Sequence, residues 1–228
     1  MAILKALLIG GVKDYGFELA KDTLNKPWKT AMFKVAQVGE VEASELGFVG
    51  DSVADRKHHG GVKKAIFANS YENYAEWEKF LEFKNLPFGA MGENLTISGL
   101  DENSVCVGDI HQIGTLVLRV TQPRKPCFKL SKRWLNEDMA SEIFKTGRTG
   151  WYYEVLKAGS CKAGDEIRVV KSQNSLSIMQ INRLFYAPNE NLELMERFLA
   201  LEVLPSTWHD DIKRRMDGVY DTSYMRNL

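Results

Sequence analysis

Short apolar runs separated by glycines or charged turns recur over residues 1 to about 171: AILKALLIG, TAMFKVAQV, KAIFAN, ENLTISG, TLVLRVTQ, WYYEVL and EIRVV. Runs of this length, rich in branched and aromatic side chains, predict β-strands. One segment interrupts them. In SYENYAEWEKFLEF, residues Tyr74, Trp77 and Leu81 recur three to four apart, which predicts an amphipathic helix with Ser70 as its N-cap. Two more helices are predicted at about 128–135 and 137–145. Strands that do not alternate regularly with helices argue against a doubly wound parallel sheet. They favour a closed or nearly closed barrel with helical decorations, which also removes exposed sheet edges.

Beyond residue 171 the period changes. SLSIMQINRLFYA, NENLELMERFLALEV and STWHDDIKRRM carry apolar residues at helical spacing, and Pro188 and Pro205 stand where helices start or stop. Three short helices cannot each stand alone, so they must pack together or on the barrel. The expected fold is a mainly β barrel of α+β character at 1–171, a short polar linker at 171–175 and a small all-α three-helix domain at 172–228.

Composition narrows this picture only slightly. The 228 residues carry 30 Lys+Arg against 30 Asp+Glu, so net charge argues neither for nor against a polyanionic partner. The opening run is broken by Lys5, and no apolar stretch of about 18 residues occurs, so no membrane span is expected. Cys106, Cys127 and Cys161 are an odd count without a recognisable leader, which fits a reducing compartment, the cytoplasm by default.

Four stretches carry candidate chemistry. In QPRKPCFKL, Pro123 and Pro126 stiffen an extended loop up to Cys127, and Arg124, Lys125 and Lys129 surround it with charge. Nearby cations favour a thiolate, the competent nucleophile and metal ligand; a helix starting near Phe128 would add its positive end. The competing reading packs Cys127 inward and leaves the basic residues on a solvated face. In GDSVADRKHHGG, His58 and His59 with Asp51 and Asp55 suggest a metal, yet the spacing matches no standard template, and neighbouring histidines on an extended chain point apart. Gly60 and Gly61 could instead let the backbone approach an anion bound by Arg56, Lys57 and the histidines, or the stretch is a charged turn. In FGAMGENLTISG, Glu93 and Asn94 enter a strand where an amide can reach a pocket rim, or the stretch is simply a turn with a polar strand start. In TGRTGW, Arg148 stands between two glycines, a setting for phosphate recognition or an ordinary surface turn. Phosphate-loop, dinucleotide-fold, zincin, nucleophile-elbow and paired CxxC signatures are absent.

In this order, GDSVADRKHHGG, FGAMGENLTISGL, VCVGD, QPRKPCFKL and TGRTGWYYEVLKAG with KAGDEI resemble the MOSC domain family, and within it the YiiM-like bacterial group, whose C-terminal three-alpha domain corresponds to 172–228. The resemblance implies a barrel of mixed and antiparallel strands that binds the molybdenum cofactor, a pterin phosphate with dithiolene-held molybdenum. It implies Cys127 as the catalytic cysteine and thiolate ligand to the metal, and Asn94 as a cofactor contact. Arg124, Lys125 and Lys129 would flank the sulfur. Gly92 stands where related proteins place an arginine, so Arg56, Arg124 or Arg148, with His58, His59 and Gly60, would have to supply the phosphate contact. The implied activity is reduction of N-hydroxylated compounds, such as hydroxylaminopurine, to amines. The implied partners are the small-molecule substrate and an external electron-donor reductase, with a homodimer possible and neither nucleic acid nor membrane expected. Two alternatives stay open: a sulfur carrier using a Cys127 persulfide, and a protein that stores the cofactor without turnover. Pyridoxal phosphate is only a family-level association, because the chain has no length left for a desulfurase domain that would bind it. Cys106 and Cys161 are expected to be structural or incidental.

Overall fold

The structure is a computed structural model that describes residues 1–223. The last five residues of the expected helical domain lie outside the described residues. Seven strands close a barrel: β1 (Ala2–Ile9), β2 (Ile66–Ser70), β3 (Leu95–Ser98), β4 (Ile110–Ile113), β5 (Leu116–Pro123), β6 (Trp151–Lys157) and β7 (Glu166–Lys171). Around the barrel the order is β7, β4, β5, β6, β2, β3, β1, and β1 pairs back onto β7 through Ala2↔Ile167 and Ile3↔Glu166. Every barrel pair is antiparallel except β2–β3. A parallel pair needs a crossover, and the chain supplies one through a 3-10 turn, Tyr71–Asn73, and the helix Tyr74–Phe80.

Two local features explain how the sequence fits this closure. In AILKALLI the register shifts between Leu4 and Ala6, so Lys5 turns outward while Leu4, Leu7 and Leu8 stay buried. TAMFKVAQV, expected as one strand, yields only the last residue of a strand at Trp28–Thr30 and the two-residue strand Val35–Ala36. Between them the Met32 N–H bonds to the Thr30 hydroxyl at 3.1 Å instead of a neighbouring strand. The pattern also hides a strand: DIHQIG has too few residues to register as a run, yet its Ile110–Ile113 completes the barrel.

The helices are α1 (Arg56–His59), α2 (Tyr74–Phe80), α3 (Phe128–Trp134), α4 (Met139–Thr146), α5 (Ile178–Tyr186), α6 (Met195–Leu199) and α7 (Thr207–Met216). Ser70 does not cap α2; its hydroxyl donates to the Glu72 carboxylate at 2.6 Å. Ser177 does cap α5, in a reciprocal box with Gln180. The helices after residue 171 rest on the barrel. Ile178, Ile181, Phe185, Phe198, Trp208 and Ile212 share one apolar cluster with Leu118, Val120 and Trp151. Main-chain bonds fasten the start of α5 to the barrel: Val107 N–H to Leu176 C=O at 3.1 Å and Ile178 N–H to Val105 C=O at 2.9 Å. Among the described residues, no helix is long and apolar enough to cross a membrane.

A buried polar pair gives the barrel a pH signature. His111 on β4 is 1% exposed, and its Nδ1 lies 2.7 Å from the Tyr153 hydroxyl. Burial pushes the imidazole down to about 4, against a smaller opposing pull from Asp109. The folded value is below the ordinary 6.5, so the unfolded chain binds the extra proton. The stabilisation is therefore complete above about pH 6.5 and lost as pH falls toward 4, on the order of 3 kcal/mol. Denaturant titrations across this range should show a shallower loss in the His111→Phe/Tyr153→Phe double variant than in the unsubstituted chain; equal slopes would show that the pair does not titrate with folding.

Candidate active site at Cys127

The end of β5 shapes the site. Pro123 closes the strand, and the Arg124 N–H pairs onward with Gly150 C=O at 3.2 Å. Successive side chains of the extended segment then point to opposite sides. Arg124 turns into a cavity, 6% exposed, with its guanidinium 4.9 Å from the Phe67 ring and Tyr152 among the residues lining the same space. Lys125 turns the other way, pairs with Asp211 on α7 and lies 4.5 Å from the Trp208 ring. Cys127 is extended (φ −142°, ψ 138°), half-buried, and stands directly before α3. Helix α3 in turn fixes the facing wall: Lys129 donates to Lys29 C=O at 3.0 Å, and Arg133 donates to Met32 C=O.

Cys127, Arg124, Lys34, Lys64, Lys129 and His59 line this cavity together with Asp51, Asn94, Phe67 and Tyr152, around about 630 Å³ of space that includes its open mouth. Asp51 organises its floor. The carboxylate accepts from Gly10 N–H at 2.8 Å, from Asn94 Nδ2 at 2.8 Å and from Lys34 Nζ. Asn94 also accepts from Phe67 N–H at 3.1 Å and donates to Leu8 C=O at 3.1 Å, so its amide ties β1, β2 and the Asp51 loop together. Its polar atoms are committed to the protein. Burial lowers the Lys34 ammonium from its ordinary value against the pull of Asp51. His59 lies 3.4 Å from the Tyr152 hydroxyl, and burial, then the Arg124 and Lys64 charges, push it down to about 3. It is neutral at ordinary pH.

Not every sequence-predicted residue comes to this cavity. His58 is exposed and bonds Asp55 at 2.9 Å; the two histidines diverge, but on a helical turn and not on the expected extended chain. Arg56 is exposed on α1 and lines neither the cavity nor the groove beside it. Gly60 serves its own helix: its N–H closes on Arg56 C=O at 3.2 Å, and an added Cβ would lie 2.8 Å from that oxygen. Lys125 lies outside the cavity and holds α7 through Asp211. Arg148 lies 3.6 Å from Glu76 and lines a separate cavity with Glu102 and Arg183. TGRTGW is a built turn: Asn182 Nδ2 donates to Gly147 C=O at 2.8 Å and to the Thr149 hydroxyl at 2.9 Å. Gly150 has φ +68°, and a Cβ there would meet Ala68 C=O at 2.3 Å. The motif reaches the site only through the carbonyl that pairs with Arg124.

Gly92 has φ +82°, and a side chain there would press on Met32 at 3.2 Å. Of the three arginines that were expected to compensate, only Arg124 lines the cavity. Lys34, Lys64, Phe67 and Tyr152 were not singled out; a lysine breaking the apolar run TAMFKVAQV was the one available signal. Cys161 is buried and pushed up to about 12 by burial, and Cys106 is raised by burial and then by Asp109. Among the described residues, no group of three or more His, Cys, Asp or Glu is arranged to hold a metal ion.

These features define a class: a closed β-barrel presenting one thiol beside a cationic cavity. The chain belongs to the MOSC domain family, whose sequence profile matches residues 55–168. It is 34% identical over 193 residues to "Uncharacterized protein YflK" of Bacillus subtilis, covering 84% of this chain and 87% of that protein. To "Protein YiiM" of Escherichia coli it is 32% identical over 192 residues, covering 83% and 86%. A Gibberella moniliformis protein called "Reductase" is 33% identical over 181 residues, which is 78% of this chain but 32% of that longer protein. The crystal structure of YiiM from Geobacillus stearothermophilus superposes with a TM-score of 0.74 at 28% identity, covering 95% of this chain and 100% of that one. That of YiiM from Escherichia coli gives 0.72 at 27% identity, covering 94% and 96%.

Proposed function

We propose that this protein binds the molybdenum cofactor and reduces N-hydroxylated compounds to amines, with Cys127 as the thiolate ligand to the metal. The observation that carries this reading is a half-buried thiol on the rim of a cavity that contains the buried Arg124 guanidinium and no acidic partner for it among the described residues. The donor set fits the group. A phosphate would find Arg124, Lys64 and Lys129. A metal that brings its own dithiolene sulfurs needs only one soft ligand from the protein, and Cys127 is the cavity's one thiol.

When bound, the cofactor would supply the two-electron chemistry that breaks the N–O bond. Overall the substrate takes two electrons from an external reductase and two protons, releasing the amine and water. The chain's own residues do the rest. Arg124 and the lysines hold the anion, and the Asp51–Asn94–Lys34 network keeps the floor rigid. Neutral His59, beside Tyr152, can accept or donate a hydrogen bond without adding charge.

The test is expression in a host that makes the cofactor, followed by metal and pterin analysis and reduction of hydroxylamine or hydroxylaminopurine with an artificial donor. Near-stoichiometric molybdenum and turnover are expected. Folded protein lacking both would overturn the reading, and a stable gain of one sulfur on Cys127 without pterin would replace it with sulfur carriage.

A further inference from the structure

We propose that the cavity bounded by α2, α4 and α5 is a second binding site, one that takes a zwitterionic α-amino acid with a large apolar side chain. It is separate from the Cys127 cavity and does not depend on the reductase reading. Its space of about 1100 Å³, including an open mouth, has acidic groups from α2 and the loop at 101–103 and basic groups from the α4 end and α5. Glu102, 1% exposed, forms the floor. Its carboxylate accepts from Asn73 Nδ2 at 3.0 Å and from Gly150 N–H at 2.7 Å, yet no cation stands at ion-pair distance from it among the described residues. Burial raises this carboxyl above its ordinary value, against those bonds. A buried carboxylate is costly unless a positive charge joins it. With about four acceptor sites, it can take an ammonium in addition to the two donors already there.

The neighbouring carboxylates are less free. Glu72 accepts from the Ser70 hydroxyl at 2.6 Å and Gly99 N–H at 2.7 Å, and Asp101 closes a turn with the N–H groups of Asn103 and Ser104 at 3.1 and 2.9 Å. On the basic side, Lys145 and Arg183 are exposed and meet no carboxylate at ion-pair distance among the described residues. Arg148 meets Glu76 only at 3.6 Å. The backbone of TGRTGW is spent on packing, but its one charged side chain lines this cavity. The two arginines are long and loosely held, so they can close over a ligand whose ammonium rests on Glu102. A guanidinium grips a carboxylate through two parallel N–H bonds. Phe144 and Tyr186, with ring centroids 5.1 Å apart, and Met179 supply the apolar part of the lining. A polyanion would meet the acidic groups and a polycation the basic ones; a ligand with one charge of each sign satisfies both. Gly150 joins this site to the other cavity, because its N–H bonds to Glu102 and its C=O accepts from Arg124 N–H at 3.2 Å.

Titration calorimetry of the full chain with L-phenylalanine, phenethylamine, 3-phenylpropionate and L-alanine tests the site. L-phenylalanine should bind at least about tenfold more tightly than each of the others, which lack in turn the carboxylate, the ammonium and the ring. Arg183→Ala, at an exposed position, should weaken L-phenylalanine about tenfold and leave thermal unfolding unchanged. Glu102→Gln should weaken it by a similar factor while sparing 3-phenylpropionate; if that chain does not fold, the arginine variant decides alone. No binding of L-phenylalanine, equal binding of the amine or the acid alone, or full binding by Arg183→Ala would overturn the proposal.

Discussion

Cys127→Ser is expected to lose turnover of N-hydroxylated substrates by at least about 100-fold while melting within a degree or two of the unsubstituted chain. The two halves of this result have separate causes. A hydroxyl is a hard, weakly acidic replacement for a thiolate and is a poor ligand for a metal already bound through sulfur. The fold, by contrast, asks little of this atom. Cys127 is half-buried, belongs to neither apolar cluster, and its side chain caps no helical N–H. Molybdenum content, turnover with an artificial donor and thermal unfolding, measured on one preparation, separate the effects. Turnover like that of the unsubstituted chain would show that the sulfur is not the ligand.

Local chemistry singled out this cysteine because its constraints are local: two prolines and a following helix are written beside it. Lys125 shows where that reasoning stops. Adjacent residues on an extended chain face opposite ways, so of two neighbouring cations only Arg124 enters the cavity, while Lys125 serves α7. Arg148 failed for a different reason. A glycine-framed turn looks the same whether it cradles an anion or satisfies close packing, and the bonds from Asn182, some 30 residues further on, decide for packing. Lys34 and Phe67 reach the site through barrel closure and the Asp51 network, which no spacing encodes. The barrel itself was legible because six of its seven strands are apolar runs bounded by turns. Ile110–Ile113 was not, since four residues that include a buried histidine resemble a loop. Asn94 was singled out by resemblance as a cofactor contact, whereas the bonds of its amide make it a strut of the cavity floor.

Arg124→Met is expected to raise the stability of the cofactor-free chain and to weaken anion retention, a pair of opposite signs that few structural arginines would give. The side chain of Arg124 is 6% exposed and its guanidinium packs on Phe67, with no carboxylate at ion-pair distance among the described residues. An isolated buried cation costs several kcal/mol of desolvation, and an apolar side chain of similar length removes that cost. A bound phosphate repays it with charge-assisted bonds worth on the order of 2 kcal/mol, so affinity should fall about 30-fold in the variant. Arg124→Lys keeps the charge but not the planar fork, and should fall between the two. Thermal unfolding with and without inorganic pyrophosphate reads both effects, because a ligand that binds only the folded chain raises the midpoint in proportion to its affinity. The unsubstituted chain should show the larger shift from the lower starting point, and the methionine variant a small shift from a higher one. A variant that is less stable yet responds fully to pyrophosphate would make Arg124 a packing residue and move the anion to Lys64 and Lys129.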